Sequence, residues 1–281
     1  MKYAINIPNF GLYGNPINMA NLAIEAEKAG WDGFFLWDHL VLNGNMNVPF
    51  LDPWISLTTI AMRTEKIKIG PFITPIPRRR PWKLAREAIS LDHLSNGRLI
   101  LGVGLGTPEK DFTTFGESFD LKVRATMLDE GLDILKGLWT GQDFSYEGEY
   151  YQVKNARFLP TPINGNIPIW VAGMWPYKKP FQRAAKYDGA CPISANYPDQ
   201  LTHEEVRQII VYIRKNRINT KIFDVIITGE TPNDPSEGFK IVEPYRNNGV
   251  TWWCENINGW RFSNSLEKMR ERIRQGPPKE I

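Results

Sequence analysis

The chain has 281 residues, 42% of them apolar and 23% charged, and a net charge of only +3 from 34 basic and 31 acidic groups. Length and composition accommodate one large barrel or two ordinary domains with a sizeable core, whereas so balanced a charge excludes the electrostatic footprint of a nucleic-acid or anionic-membrane binder. MKYAINIPNF at the N-terminus lacks a signal-peptide core, no uninterrupted apolar run reaches membrane-spanning length, and Cys191 and Cys254 have no metal-type or disulfide spacing, so a cytoplasmic protein without a metal site is expected.

YAINI (3–7) reads as a first strand, stopped by Pro8, and residues 17–29 place Ile17, Ala20, Leu22, Ala23, Ile24 and Ala26 on one helical face closed by Gly30. GFFLW (33–37) is a second strand, and Asp52 and Pro53 are the N-cap and first residue of a helix to about Arg63. KIKIGPFIT (66–74) is a third strand; PWKLAREAISLDHLS (81–95) is a helix ended by Asn96 and Gly97. RLILGVGLG (98–106) is a fourth strand. Residues 121–139 then carry a helical period through Leu128, Leu132, Leu135 and Leu138, and DFSYEGEYYQV (143–153) reads as a hairpin around Glu147 and Gly148. Alternation resumes with strand IPIWVAG, helix 178–187, strand GACPI, helix 201–216, strand IFDVIIT, helix 235–248, strand GVTWWCE and helix 264–275.

Eight strand–helix units with near-continuously apolar strands predict a parallel sheet, and over this length a closed (β/α)8 TIM barrel. The expectation is one α/β domain over residues 1–281, with an insertion of helix, loop and β-hairpin between strands four and five. Barrel chemistry collects at the C-terminal ends of the strands. There the chain holds Asn9, the pair Asp38 and His39, Thr74, GLGTPEKD, AGMWP, SANYP, TGETP and Glu255. Polar groups at strand ends are ordinary, but an adjacent charged pair after the apolar run GFFLW asks for a partner or a task.

Other motifs are less pointed. LGVGLG (101–106) lacks the dinucleotide spacing and reads better as a glycine-lined strand mouth against which a flat ring could lie. Of Arg78, Arg79 and Arg80, at least two are expected in salt bridges or solvent, leaving one to hold a phosphate or carboxylate. AGMWPYKK joins strand five to a helix whose first N–H groups, with Lys178 and Lys179, suit a phosphate. His39, His93 and His203 lie on different elements and only His39 is at a strand end; no nucleophile elbow is present.

The stretches AEKAGWDGFFLWDHL, RTEKIKIGPFITPIPRRRPWKLAREAISLDHLSNGRLILGVGLG, KDFTTFGESF, LDEGLDILKGLWTGQDFSYEGEYYQV, PIWVAG and GVTWW, in this order, resemble the bacterial luciferase-like monooxygenase family. That resemblance implies a flavin- or deazaflavin-dependent oxidoreductase. Asp38 and His39 would lie beside the ring as the catalytic pair, with His39 the acid/base, since an unperturbed histidine titrates near pH ~6.5. A non-proline cis peptide is implied near Phe72 and Ile73, with Thr74 at the ring's polar edge. Gly104, Leu105, Gly106 and Thr107 would flank the ring or its ribityl chain, and Gly173, Met174 and Trp175 would meet the phosphate. Trp37, Phe72 and Trp175 are candidate walls of a dry pocket.

Bacterial luciferase places a phosphate-binding arginine where Leu105 stands, and some deazaflavin dehydrogenases a glutamate where Thr107 stands, with Glu109 two positions off. Neither light emission nor sugar-phosphate oxidation is therefore implied. The first expectation is a monooxygenase using reduced flavin mononucleotide (FMN), supplied by a separate reductase, and oxygen on a small organic substrate. The alternatives are hydride transfer with the deazaflavin coenzyme F420, its anionic tail met by Arg78 to Arg80, and a flavin-binding protein without turnover. Family membership also implies a homodimer.

Overall fold

The structure is a computed structural model and describes residues 1–42, 47–219 and 221–280. In chain order it contains β1 (Lys2–Ile7), α1 (Pro16–Lys28), β2 (Gly33–Leu36), α2 (Pro53–Arg63), β3 (Lys68–Pro71), β4 (Thr74–Pro75) and α3 (Pro81–Leu94). β5 (Leu101–Gly104), α4 (Lys110–Thr113), α5 (Leu121–Trp139), β6 (Phe144–Glu147) and β7 (Gln152–Ala156) follow. The chain ends with β8 (Ile169–Trp175), α6 (Lys178–Ala184), β9 (Gly189–Ser194), α7 (His203–Asn216), β10 (Asp224–Gly229), α8 (Pro235–Asn247), β11 (Trp252–Asn256) and α9 (Leu266–Arg274).

The helices start where local chemistry says they should. Asn15, Asp52 and Asp234 accept hydrogen bonds from N–H groups of the first turn, each followed by a proline whose missing N–H costs nothing there. Thr202 and Glu205 close a capping box on α7, which begins two residues later than its apolar period suggests. α5 matches its expected span, and α6 stops three residues early at Ala184.

All strands but the β6–β7 hairpin pair in parallel, in the order β3-β2-β1-β11-β10-β9-β8-β5-β4. The ring closes through a bridge between Ile69 and Leu99, where Ile69 donates to the Arg98 carbonyl at 3.1 Å and Ile100 donates to the Ile69 carbonyl at 2.9 Å. The third barrel strand is thus two pieces, β3 and β4, separated at a cis Phe72–Ile73 peptide. The result is a TIM-like barrel with a small antiparallel insertion, tied to α5 by Glu130, whose carboxylate accepts from the N–H groups of Glu149, Tyr150 and Tyr151.

Strand alternation splits the apolar side chains into two sets. Ile5, Phe34, Leu36, Val171 and Trp253 face the helices, in the large outer core. Ala4, Phe35, Ile100, Trp170, Cys191, Ile226, Trp252 and Cys254 fill the barrel, with Phe35, Trp170 and Trp252 packed at ring separations of 5.2–6.1 Å. The interior is therefore a plug, and the open end is where the strands finish. Among the described residues no helix is long and apolar enough to cross a membrane, and no three His, Cys, Asp or Glu side chains gather as they would around a metal ion.

Candidate active site

β2 delivers its last residues into a crowded polar shell. Asp38 is 3% exposed, and both its oxygens are taken. Oδ1 accepts from Arg78 at 2.8 Å; Oδ2 accepts from Arg79 and from the Thr74 hydroxyl, both at 2.7 Å. Three charge-assisted or hydroxyl hydrogen bonds thus hold this carboxylate. The Asp38 side chain anchors Arg78, Arg79 and Thr74. Thr74 is fully buried with its hydroxyl turned to Asp38, and so does not present it to a ring edge. Two of the three clustered arginines are consumed as ion pairs, leaving Arg80 exposed.

His39 takes the other direction. Its Nδ1 lies 2.7 Å from Asp111 Oδ2, while Nε2 meets no hydrogen-bond partner among the described residues. Its backbone is clamped by Asn9, which accepts from the His39 N–H and donates to the His39 carbonyl. Asp111, from α4, accepts at Oδ1 from the N–H groups of Val41 at 2.8 Å, Leu42 at 2.9 Å and Leu40 at 3.2 Å, and Arg78 reaches Oδ2 at 3.2 Å. Burial pushes this carboxyl up, but the bonds from His39, Val41 and Leu42 outweigh it and hold its pKa at about 2. Aromatic rings frame the histidine: Trp37 at 5.6 Å and Phe10 at 6.3 Å, with Trp260 5.9 Å from Trp37. Inside the mouth, Trp37 donates to Asn6 at 2.9 Å and Asn6 donates to Asn256 at 2.8 Å, a line of polar groups along the neighbouring ends of β2, β1 and β11.

The remaining expected residues divide. Phe72 and Ile73 sit half-buried over the inner plug with Ala172 beside them, and Leu105 and Gly106 are half-buried next to β5. Met174 is 39% exposed, so it too borders the opening. Gly104 and Gly173 are buried, and the room their missing side chains leave is filled by protein: Ile73 and Ala172 against Gly104, Pro180 and Phe181 against Gly173. These glycines answer to internal packing and not to the close approach of a ring. Thr107 points to solvent, and Trp175 is 6% exposed, packed on Phe181 beneath Lys178. Glu255, at the end of β11, faces outward to Thr231, Trp253 and Arg261. Reading strand ends for charged pairs overlooked Asp111, although it lies in the quoted GLGTPEKD loop; an acidic side chain one turn past a strand end was its signal.

Comparison with known proteins places this geometry. Residues 1–228 match the family described as luciferase-like monooxygenase. The chain belongs to that family. Within it, the F420-dependent glucose-6-phosphate dehydrogenase of Rhodococcus hoagii (strain 103S) is 32% identical over 167 residues, 57% of this chain and 48% of that protein. The same-named protein of Amycolatopsis mediterranei (strain U-32) is 28% identical over 191 residues, 66% of this chain and 54% of that protein. The chain thus spans about half the length of the curated relatives it matches.

Two solved structures share the fold over almost all of both chains. An F420-dependent secondary alcohol dehydrogenase, in complex with an F420–acetone adduct, superposes with a TM-score of 0.77 at 18% identity, covering 99% of this chain and 98% of that one. A monooxygenase from Streptomyces bottropensis also gives 0.77, at 20% identity and 98% coverage of each. This luciferase-like protein is accordingly a member of an oxidoreductase family whose representatives divide between F420 and FMN.

The open end fits such a group. Phe72, Ile73 and Ala172 make an apolar bed for a flat ring, opposed by the amides of Asn6 and Asn256. Arg80, Lys110, Lys178 and Lys179 are exposed on the rim beyond β4, β5 and β8, where an anionic tail would run.

Proposed function

We propose that this luciferase-like oxidoreductase uses the deazaflavin coenzyme F420 to move a hydride to or from a small alcohol or carbonyl compound. The observation that carries the reading is His39: an imidazole held by a buried carboxylate at the edge of an apolar mouth, its Nε2 without a partner among the described residues. Its weight over reduced FMN and oxygen, the first expectation from sequence, comes from relatives about 30% identical that are named for F420. When bound, the deazaflavin supplies a two-electron acceptor for hydride. His39 accepts the proton of the substrate hydroxyl at Nε2 as the carbon–hydrogen bond breaks, so alcohol becomes carbonyl and charge stays balanced. Trp37, Phe10 and Trp260 keep water away from that transfer and offer ring faces to an uncharged substrate. Phe72 and Ile73 support the ring.

The cations nearest His39, Arg78 and Arg79, are committed to Asp38 and Asp111. A substrate phosphate would have to displace one of them, which favours an uncharged alcohol over a sugar phosphate. The homodimer belongs to the same proposal; Ile55 and Met62, 60% and 71% exposed on α2, are the apolar surface that supports it, and sedimentation velocity measures it. Titration with oxidised F420 and with reduced FMN, followed by intrinsic tryptophan fluorescence, tests the cofactor. Saturable binding of F420 is expected; binding of reduced FMN alone overturns the reading.

A further inference from the structure

We propose that Asp111 is the positioning residue of this site: it fixes the His39 imidazole with its proton on Nδ1 and its lone pair on Nε2, so that His39 is set to take a proton from a substrate hydroxyl. The catalytic half of this inference rests on the function proposed above; the tautomer does not.

Each contact of Asp111 has a separable purpose. Oδ1 collects the N–H groups of Leu40, Val41 and Leu42, which ties the segment after β2 to α4. An amide oxygen would satisfy those three donors equally well. Oδ2 faces His39 Nδ1 at 2.7 Å and Arg78 Nη1 at 3.2 Å. Only an acceptor suits that position, and an ionised carboxylate has no proton to give, so the shared hydrogen belongs to the histidine. With Nδ1 protonated, neutral His39 carries its lone pair on Nε2, on the side away from Asp111.

Competing assignments fail on the same geometry. The Asp111 side chain is fully buried, so water does not exchange with the carboxylate. Arg78 bridges Asp38 and Asp111, and two arginines facing two carboxylates leave the shell neutral before His39 gains a proton. The Asn9 clamp on the His39 backbone fixes where the ring starts, and Trp37 and Phe10 meet it in T-shaped contacts at interplanar angles of 70° and 64°. Ring position is therefore set by several groups, but ring protonation by Asp111 alone among the described residues. The arrangement follows a general rule of catalysis, in which a buried carboxylate orients a histidine base without itself taking the proton.

Asp111→Asn separates orientation from architecture. The three backbone N–H groups pin the amide oxygen where Oδ1 was, which places the amide N–H2 against His39 Nδ1. Donor then faces Nδ1, and the opposite tautomer, protonated at Nε2, is imposed. The measurement is the 15N spectrum of histidine-labelled protein without added cofactor, above the histidine titration, with His39→Gln identifying the His39 signals among the three histidines. The proposal expects protonated Nδ1 and bare Nε2 in the wild type, reversal in Asp111→Asn, and a kcat lower by about 10²-fold with KM little changed. Wild-type His39 protonated at Nε2, or exchanging between tautomers, overturns it even if the variant fails to fold. A reversed tautomer with unchanged kcat overturns the positioning role. Failure to bind F420 is a separate result, which touches the cofactor and leaves the tautomer standing.

Discussion

Asp38 and Asp111 are buried carboxylates bridged by one guanidinium, yet their remaining partners give them different work. Asp38 spends its oxygens on Arg78, Arg79 and Thr74. Asp38→Asn leaves Arg78 with Asp111 alone and Arg79 with only the more distant Glu87, and breaking such buried pairs costs about 3 kcal/mol or more. The variant should therefore lower the urea midpoint strongly, and with it the amount of folded enzyme. His39→Ala reverses that pattern. It should cost the fold less than Asp38→Asn, since Asp111 keeps its three backbone donors and Arg78 when the ring is gone, while lowering turnover by about 10²-fold or more. Equal stability losses in the two variants would contradict this division. At this scale the sequence announced that Asp38 and His39 were unusual but not which of them acts. Direction depends on Arg78, Arg79 and Asp111, which come from segments after other strands and meet the pair only in the folded barrel.

Elements were legible where their signals are local. Caps such as Asp52 with Pro53, and the leucine period of α5, are contained within a few turns of chain and reappear almost residue for residue. The third strand was legible as KIKIGPFIT, and the resemblance implied its cis peptide at Phe72–Ile73; only its division into β3 and β4 was not, because that answers to the neighbouring strands. Gly70 lies so close to β5 that a Cβ would stand 1.8 Å from the Ile100 carbonyl oxygen, and at Gly102 a Cβ would stand 2.5 Å from the Pro71 carbonyl and 3.1 Å from Ile73. LGVGLG, Gly102 included, looked like a bed for a flat ring; Gly70 and Gly102 are where one strand's backbone is pressed against the next. Gly102→Ala should destabilise the protein by about 1–3 kcal/mol, the usual cost of overpacking, and shift Ile73 toward the mouth. Denaturation and cofactor affinity measured on the same variant check both parts. The four-residue α4 has no period to detect, which is why Asp111 escaped notice.

For the whole molecule, the barrel follows from eight alternating units, and the cofactor class from family membership; neither needed the site to be understood. The acid limb of stability, by contrast, has a contribution from the site, alongside those of ion-paired and hydrogen-bonded carboxylates such as Glu25 and Glu27. The Asp111 carboxyl is held at about 2, below its ordinary value of 3.8. A depressed folded value means the ionised form stabilises the fold. That contribution is complete above about pH 4 and is lost as pH falls through about 2. Asp111→Asn should flatten the stability profile in this window relative to wild type, as followed by urea midpoints from about pH 5 downward; an unchanged slope would show that the carboxylate does not favour the fold.

The central claim is hydride transfer to a deazaflavin with His39 taking the proton. Its most direct test is anaerobic mixing of the protein with oxidised F420 and propan-2-ol, with His39→Ala alongside, following the deazaflavin's visible absorbance and the acetone formed. Bleaching matched one-to-one by acetone is expected, slowed by about 10²-fold in the variant. No bleaching with any small alcohol, together with substrate-dependent oxygen uptake when reduced FMN is supplied, would contradict it.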